Sequence, residues 1–207
     1  MKYFALILVS LLLFSLSCKK GKAEVKIRGV ITDASFGLPL SGVEVKIYQI
    51  SSGFDDELIG TATTNASGEY SFLFDRDQTE SYSIVSNKEN YYDLNESISF
   101  SDITIEEDNI YNYSTFAKSW VSCKFTNNFG QPSDVLRYIK QSGRSGCSTC
   151  CPEGELFLNG NVDTTIIYST NGNEVFSYQY FVVGTADQGL KSTNTLAFDT
   201  TSLNLVY

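Results

Sequence analysis

Histidine is absent from all 207 residues. That removes the Ser-His-Asp and Cys-His nucleophilic constellations, the zinc motifs built on His-Glu-x-x-His and any simple imidazole base. Positive charge is also scarce, with 15 Lys and Arg against 24 Asp and Glu and a net charge of −9. An acidic surface of this kind argues against a nucleic-acid partner and against electrostatic docking on anionic lipid. After residue 17 no apolar stretch approaches the roughly 20 residues that a spanning helix requires. Sustained helical periodicity is missing as well. The 42% hydrophobic and 14% aromatic fractions nevertheless describe a chain able to bury a core, and the Tyr and Phe content favours β-structure.

The N-terminus has the layout of a secretory leader. Lys2 supplies the positive start, residues 4–16 are almost purely apolar, and small Ser15 and Ser17 flank Leu16 just before Cys18. A cysteine directly after a small residue resembles the lipobox of bacterial lipoproteins, and the Cys18-Lys19-Lys20 continuation is similar to lipoproteins of the Bacteroidetes group. The resemblance implies lipid on Cys18, a signal peptide over residues 1–17, an anchor and short linker over 18–22, and residence at the cell envelope, on the outer membrane. Several acyl chains on one residue exceed what stable membrane attachment needs, so the membrane is the expected partner through that lipid.

From Val25 the chain alternates with period 2. Val25, Ile27, Gly29 and Ile31 share one parity, followed by Val43, Val45 and Ile47, then Ile59, Thr61 and Thr63, then Tyr70, Phe72 and Phe74. Turn chemistry separates these runs at Gly37-Leu38-Pro39, Ser51-Ser52-Gly53 and Asn65-Ala66-Ser67-Gly68. Gly42 and Gly68 stand where tight turns require positive φ. The segments Gly29-Val30-Ile31-Thr32-Asp33, Gly37-Leu38-Pro39-Leu40-Ser41-Gly42-Val43-Glu44-Val45 and Thr63-Thr64-Asn65-Ala66-Ser67-Gly68-Glu69-Tyr70-Ser71-Phe72 resemble the carboxypeptidase regulatory-like domain. That resemblance implies a prealbumin-like Greek-key sandwich over residues 23–116 and brings no catalytic residue with it. A related sandwich family in surface pilins forms an internal isopeptide with help from an acidic residue. Ser86 stands at the corresponding position here, which argues against such a bond.

Residues 117–207 read as a second β-sandwich, so the predicted fold is all-β with two tandem sandwich modules. Trp120, Val121, Cys123 and Phe125 open it, residues 134–141 lean towards a strand through Leu136-Arg137-Tyr138-Ile139, and Asn171-Gly172 between β-rich flanks predicts a hairpin. Cys123, Cys147, Cys150 and Cys151 form an even set in an exported chain, which points to disulfides. The favoured pairing joins Cys123 to one member of the cluster and closes the second bridge within it. A four-thiolate metal site and a redox Cys-x-x-Cys at Cys147 and Cys150 are the competing readings. No metal and no cofactor is expected.

Asp163-Thr164-Thr165 and Asp199-Thr200-Thr201 resemble the O-glycosylation triplet of Bacteroidetes, with Thr164 and Thr200 as acceptors. Asp55-Asp56-Glu57 reads as a solvated turn rather than a calcium loop. Tyr91-Tyr92 and the tyrosines at 111 and 113 offer either a sugar- or protein-binding surface or ordinary strand filling. With no catalytic residue singled out, the expectation is a lipid-anchored, non-enzymatic binding or structural accessory with a glycan or envelope-protein partner. An adhesin or spacer and a carboxylate-based envelope hydrolase are the alternatives.

Overall fold

The computed structural model describes residues 23–128 and 130–207; the leader, Cys18 and the rest of the linker lie outside the described residues. The described chain is all-β. Its strands are β1 (Glu24–Asp33), β2 (Leu38–Pro39), β3 (Glu44–Ile50), β4 (Glu57–Thr63), β5 (Glu69–Asp75), β6 (Ser81–Asn87), β7 (Leu94–Ser99), β8 (Asn109–Ile110) and β9 (Tyr113–Thr115). They continue as β10 (Lys118–Thr126), β11 (Val135–Ser142), β12 (Glu155–Asn159), β13 (Asp163–Asn171), β14 (Val175–Val182), β15 (Gln188–Asn194) and β16 (Thr200–Val206). A single 3-10 turn, Phe100–Asp102, is the helical content of the described residues.

β1 pairs antiparallel with β5 and β2 and parallel with β8 and β9, while the order β4-β3-β6-β7 makes the facing sheet. In the second half, β13-β10-β16 faces β12-β11-β14-β15, and β16 again runs parallel to its central strand. With the short β2 and β8 set aside and strands counted from each module's own start, both modules read 4-1-7 in one sheet and 3-2-5-6 in the other. The two sandwiches therefore share one topology, although the Gly- and Pro-marked motifs of residues 29–72 occur only in the first.

Alternation dictates the two cores. Val25, Ile27 and Ile31 of β1 meet Val45 and Ile47 of β3 and Ile84 of β6 in the first. Val121 and Phe125 of β10 meet Leu136 of β11 and Phe176 and Tyr178 of β14 in the second. Phe125, Tyr138 and Tyr178 form an aromatic triangle with centroids 4.9–5.6 Å apart. Gly42 and Gly68 have φ of 69° and 72°, as their turns require.

Two details depart from the sequence reading. The parity expected for Ile59, Thr61 and Thr63 breaks at a bulge, because Ile47 faces Gly60 while Tyr48 faces Leu58. The extra residue re-phases the strand, so that Ala62 turns inward and Thr61 and Thr63 outward. The Asn171-Gly172 pair forms no hairpin, since β13 belongs to one sheet and β14 to the other. It makes an arch instead. Gly172 is needed there because a Cβ would lie 2.6 Å from Ala197 Cα, and the positive φ falls on Asn173, at 60°. Residues 135–142 do form a strand.

Candidate functional site

The outer face of the β1–β5 sheet carries a trough of about 620 Å³. Alternation sends Lys26, Arg28 and Val30 outward from β1, and Glu69 and Ser71 outward from β5 beside them. Ile110 and Asn112 line the trough from the β8 side. Lys26 Nζ and Arg28 Nε both bond Asp108 Oδ2, each at 3.0 Å. One carboxylate thus serves two cations, while Glu69, bonded by Asn65 Nδ2 at 2.8 Å, brings a second carboxylate to the same lining. Asn112 Oδ1 accepts the Val30 N–H at 2.9 Å and fixes the rim. The chemistry available is hydrogen bonding and ion pairing through fixed side chains of both signs.

The tyrosines are used elsewhere. Tyr91 is 7% exposed, its hydroxyl donates to Asp33 Oδ2 at 2.7 Å, and its ring meets Phe198 edge-on with centroids 5.4 Å apart. Tyr92 crosses to the second sandwich, where its hydroxyl donates to Thr170 O at 2.9 Å and lies 2.8 Å from Ser169 Oγ. The Arg144 guanidinium covers its ring at 3.4 Å, with Lys118 at 5.7 Å. Ser35 completes the joint by accepting the Ala117 N–H at 3.0 Å and an Asn173 Nδ2–H at 3.1 Å. Burial and the Asp33 hydrogen bond push the Tyr91 phenol well above its ordinary pKa. Tyr111 and Tyr113 pack against the first core: Tyr111, between β8 and β9, accepts the Tyr70 hydroxyl through its carbonyl at 2.8 Å, and Tyr113 of β9 pairs with Ile31. The joint is the feature sequence reasoning missed, because its partners lie far apart in the chain.

Among the cysteines, Cys147 and Cys150 are bonded to each other, while Cys123 and Cys151 are buried thiols of one core. Lys140 anchors the loop by donating to Arg144 O and, at 3.1 Å, to Cys151 O. Among the described residues no group of three His, Cys, Asp or Glu side chains is placed to hold a metal, and Asp55, Asp56 and Glu57 are exposed. The two acceptor threonines differ. Thr164 lies opposite Phe125 on the inner face and is partly buried, whereas Thr200 is exposed at the start of β16.

No family model matches the chain, and no curated protein matches it. Among solved structures it is similar to the shaft pilin SpaA from Lactobacillus rhamnosus GG, at 8% identity over 90% of this chain and 98% of that one, with a TM-score of 0.36. A streptococcal ancillary pilin is 11% identical over 88% of this chain and 62% of its own, at a TM-score of 0.36. The 3-chlorocatechol 1,2-dioxygenase from Rhodococcus opacus 1CP is 13% identical over 48% of this chain and 62% of its own, at 0.37. The chain spans less than two thirds of the length of the last two, at 62% in each case.

Proposed function

We propose that this chain is a non-enzymatic accessory of a bacterial envelope, anchored by lipid on Cys18 and built on a regulatory-like first sandwich. Its role is to carry a binding face on the first sandwich and to hold the second sandwich in a fixed place beyond it. The observation that carries this reading is the joint, which spends Tyr91, Tyr92, Phe36 and Phe198 on fastening one sandwich to the other. That rigidity suits a component that holds its second sandwich in one place relative to the first. The face presented is the trough at Lys26 and Arg28, whose cations suit an acidic glycan or an acidic segment of an envelope protein.

The test uses the soluble form from Lys19 onward, offered to purified envelope glycans and envelope-protein extracts. Binding is expected, with at least a tenfold loss in the double variant Lys26→Ala, Arg28→Ala, since two charge-assisted hydrogen bonds contribute about 1.5–3 kcal/mol each. Binding unchanged by that variant removes the trough from the reading and leaves the spacer role. Turnover of a sugar, peptide or ester by the same preparation would replace the accessory reading with the hydrolase one. Labelled fatty acid should enter the wild type and be lost in Cys18→Ala.

A further inference from the structure

The second sandwich buries two thiols that its own loop brings together. Cys123 sits in the middle of β10, facing inward, opposite Ile166 of β13 and Leu203 of β16. Cys151 arrives from the 143–154 loop and is equally inaccessible, in the same core cluster. The loop is pinned from several directions. Cys151 N–H bonds Cys147 O at 3.0 Å, Ser169 N–H of β13 bonds Cys150 O at 3.0 Å, and Lys140 holds Cys151 O. Tyr168, next to that Ser169 contact, belongs to the same core cluster as both thiols. A small cavity bounded by Cys151, Tyr138, Tyr168 and Tyr178 leaves a sulfur room to move on that side.

We propose that Cys123 and Cys151 form a second disulfide, which stitches the loop to the central strand of its sheet while Cys147–Cys150 closes the loop on itself. The two thiols lose their protons, one S–S bond forms between them, and the two electrons reduce an external disulfide to two thiols. In the cell that oxidant is a disulfide-bearing protein or small molecule of an oxidising compartment, a setting that rests on the envelope reading. Burial pushes the Cys123 thiol up to about 12 and raises Cys151 as well. The thiolate is the attacking species, so the exchange belongs to folding, before the core closes. Thiol reagents applied to the native protein would miss both residues whether bridged or not.

The test therefore supplies its own oxidant and reads the cysteines after denaturation. The full chain is reduced in denaturant, refolded in a glutathione redox buffer, quenched in acid, unfolded and capped with N-ethylmaleimide. Of its five cysteines, four are then in bridges, so the expected product carries one maleimide, on Cys18. Maleimide on Cys123 and Cys151 as well overturns the proposal. Connectivity is read in the double variant Cys147→Ser, Cys150→Ser, which alters only loop positions and leaves Cys123 a single described partner. It too should carry one maleimide, with the Cys123 peptide linked to the Cys151 peptide, and labelling at both residues would overturn the pairing. Fatty-acid labelling at Cys18 reports separately on the anchor, so failure of the bridge and failure of the envelope reading are told apart.

Discussion

Asp33 is a buried carboxylate with both oxygens committed: Oδ1 accepts the N–H groups of Ser35 and Phe36, and Oδ2 accepts the Tyr91 hydroxyl. Thr64 is equally complete, accepting from Val43 N–H at 2.9 Å and donating to Leu40 O at 2.7 Å. Such satisfaction keeps buried polar groups from costing more than they contribute. The tyrosines divide: the hydroxyls of Tyr70 and Tyr168 are hydrogen-bonded, whereas that of Tyr178 is buried with no partner among the described residues. Burial holds the phenols of Tyr70, Tyr168 and Tyr178 well above their ordinary range. An unfolded tyrosine ionises near pH ~10, while these stay neutral to higher pH in the fold, so the unfolded chain releases protons first. Their stabilisation is complete below about pH 10 and is lost as pH rises towards the folded values. Urea midpoints should fall above about pH 10 together with the rise of tyrosinate absorbance, and midpoints flat through that rise would contradict this account. Asp33 was visible in the sequence as part of a motif, but its bond to Tyr91 joins positions 58 apart, which no local pattern encodes.

Most strands could be read from alternation because each sandwich sheet buries one face. What alternation cannot show is where a ladder slips or which sheet a strand joins. The bulge at Ile59 and the arch at Asn171-Gly172 both depend on partners elsewhere in the chain. The common order of the two modules was likewise hidden, since topology survives without shared motifs. Gly29 shows how closely the elements approach: a Cβ there would lie 1.6 Å from the Tyr111 carbonyl oxygen, where the 109–115 segment docks along β1. Gly29→Ala should therefore cost about 3 kcal/mol, as overpacking against an immovable backbone does. Gly37→Ala, at φ 69° with nothing within 4 Å, should cost roughly 1 kcal/mol of conformational strain alone. Equal losses in denaturant melts would count against this assignment of Gly29.

At the scale of the molecule, the joint couples two domains that could each fold around a separate core. Its polar bonds, the Arg144–Tyr92 stack and the Phe36, Tyr91 and Phe198 rings lie at the end of the first sandwich where β1 finishes. Calorimetry of the soluble chain should show one transition. Arg144→Ala, removing a stack that contributes about 0.5–2 kcal/mol, should broaden or split it with little change in the more stable half. Two transitions already present in the wild type would mean the joint couples nothing. Tyr91-Tyr92 stood out in the sequence as a pair, but nothing near it names Arg144 or Phe198 as its partners, which lie far along the chain.

The placement of β1 has a mechanical consequence. The strand runs from Glu24 to Asp33, and Asp33, Ser35 and Phe36 already belong to the joint, so Glu24 lies at the far end of the first sandwich, about 30 Å away. Tension between residue 23 and the second sandwich therefore acts along the axis of β1, across hydrogen bonds that lie roughly perpendicular to it. Bonds loaded in this direction bear the pull side by side and must yield together, whereas a hairpin pulled from its open end unzips rung by rung. The strand that begins the fold is thus the one arranged to keep it closed under load.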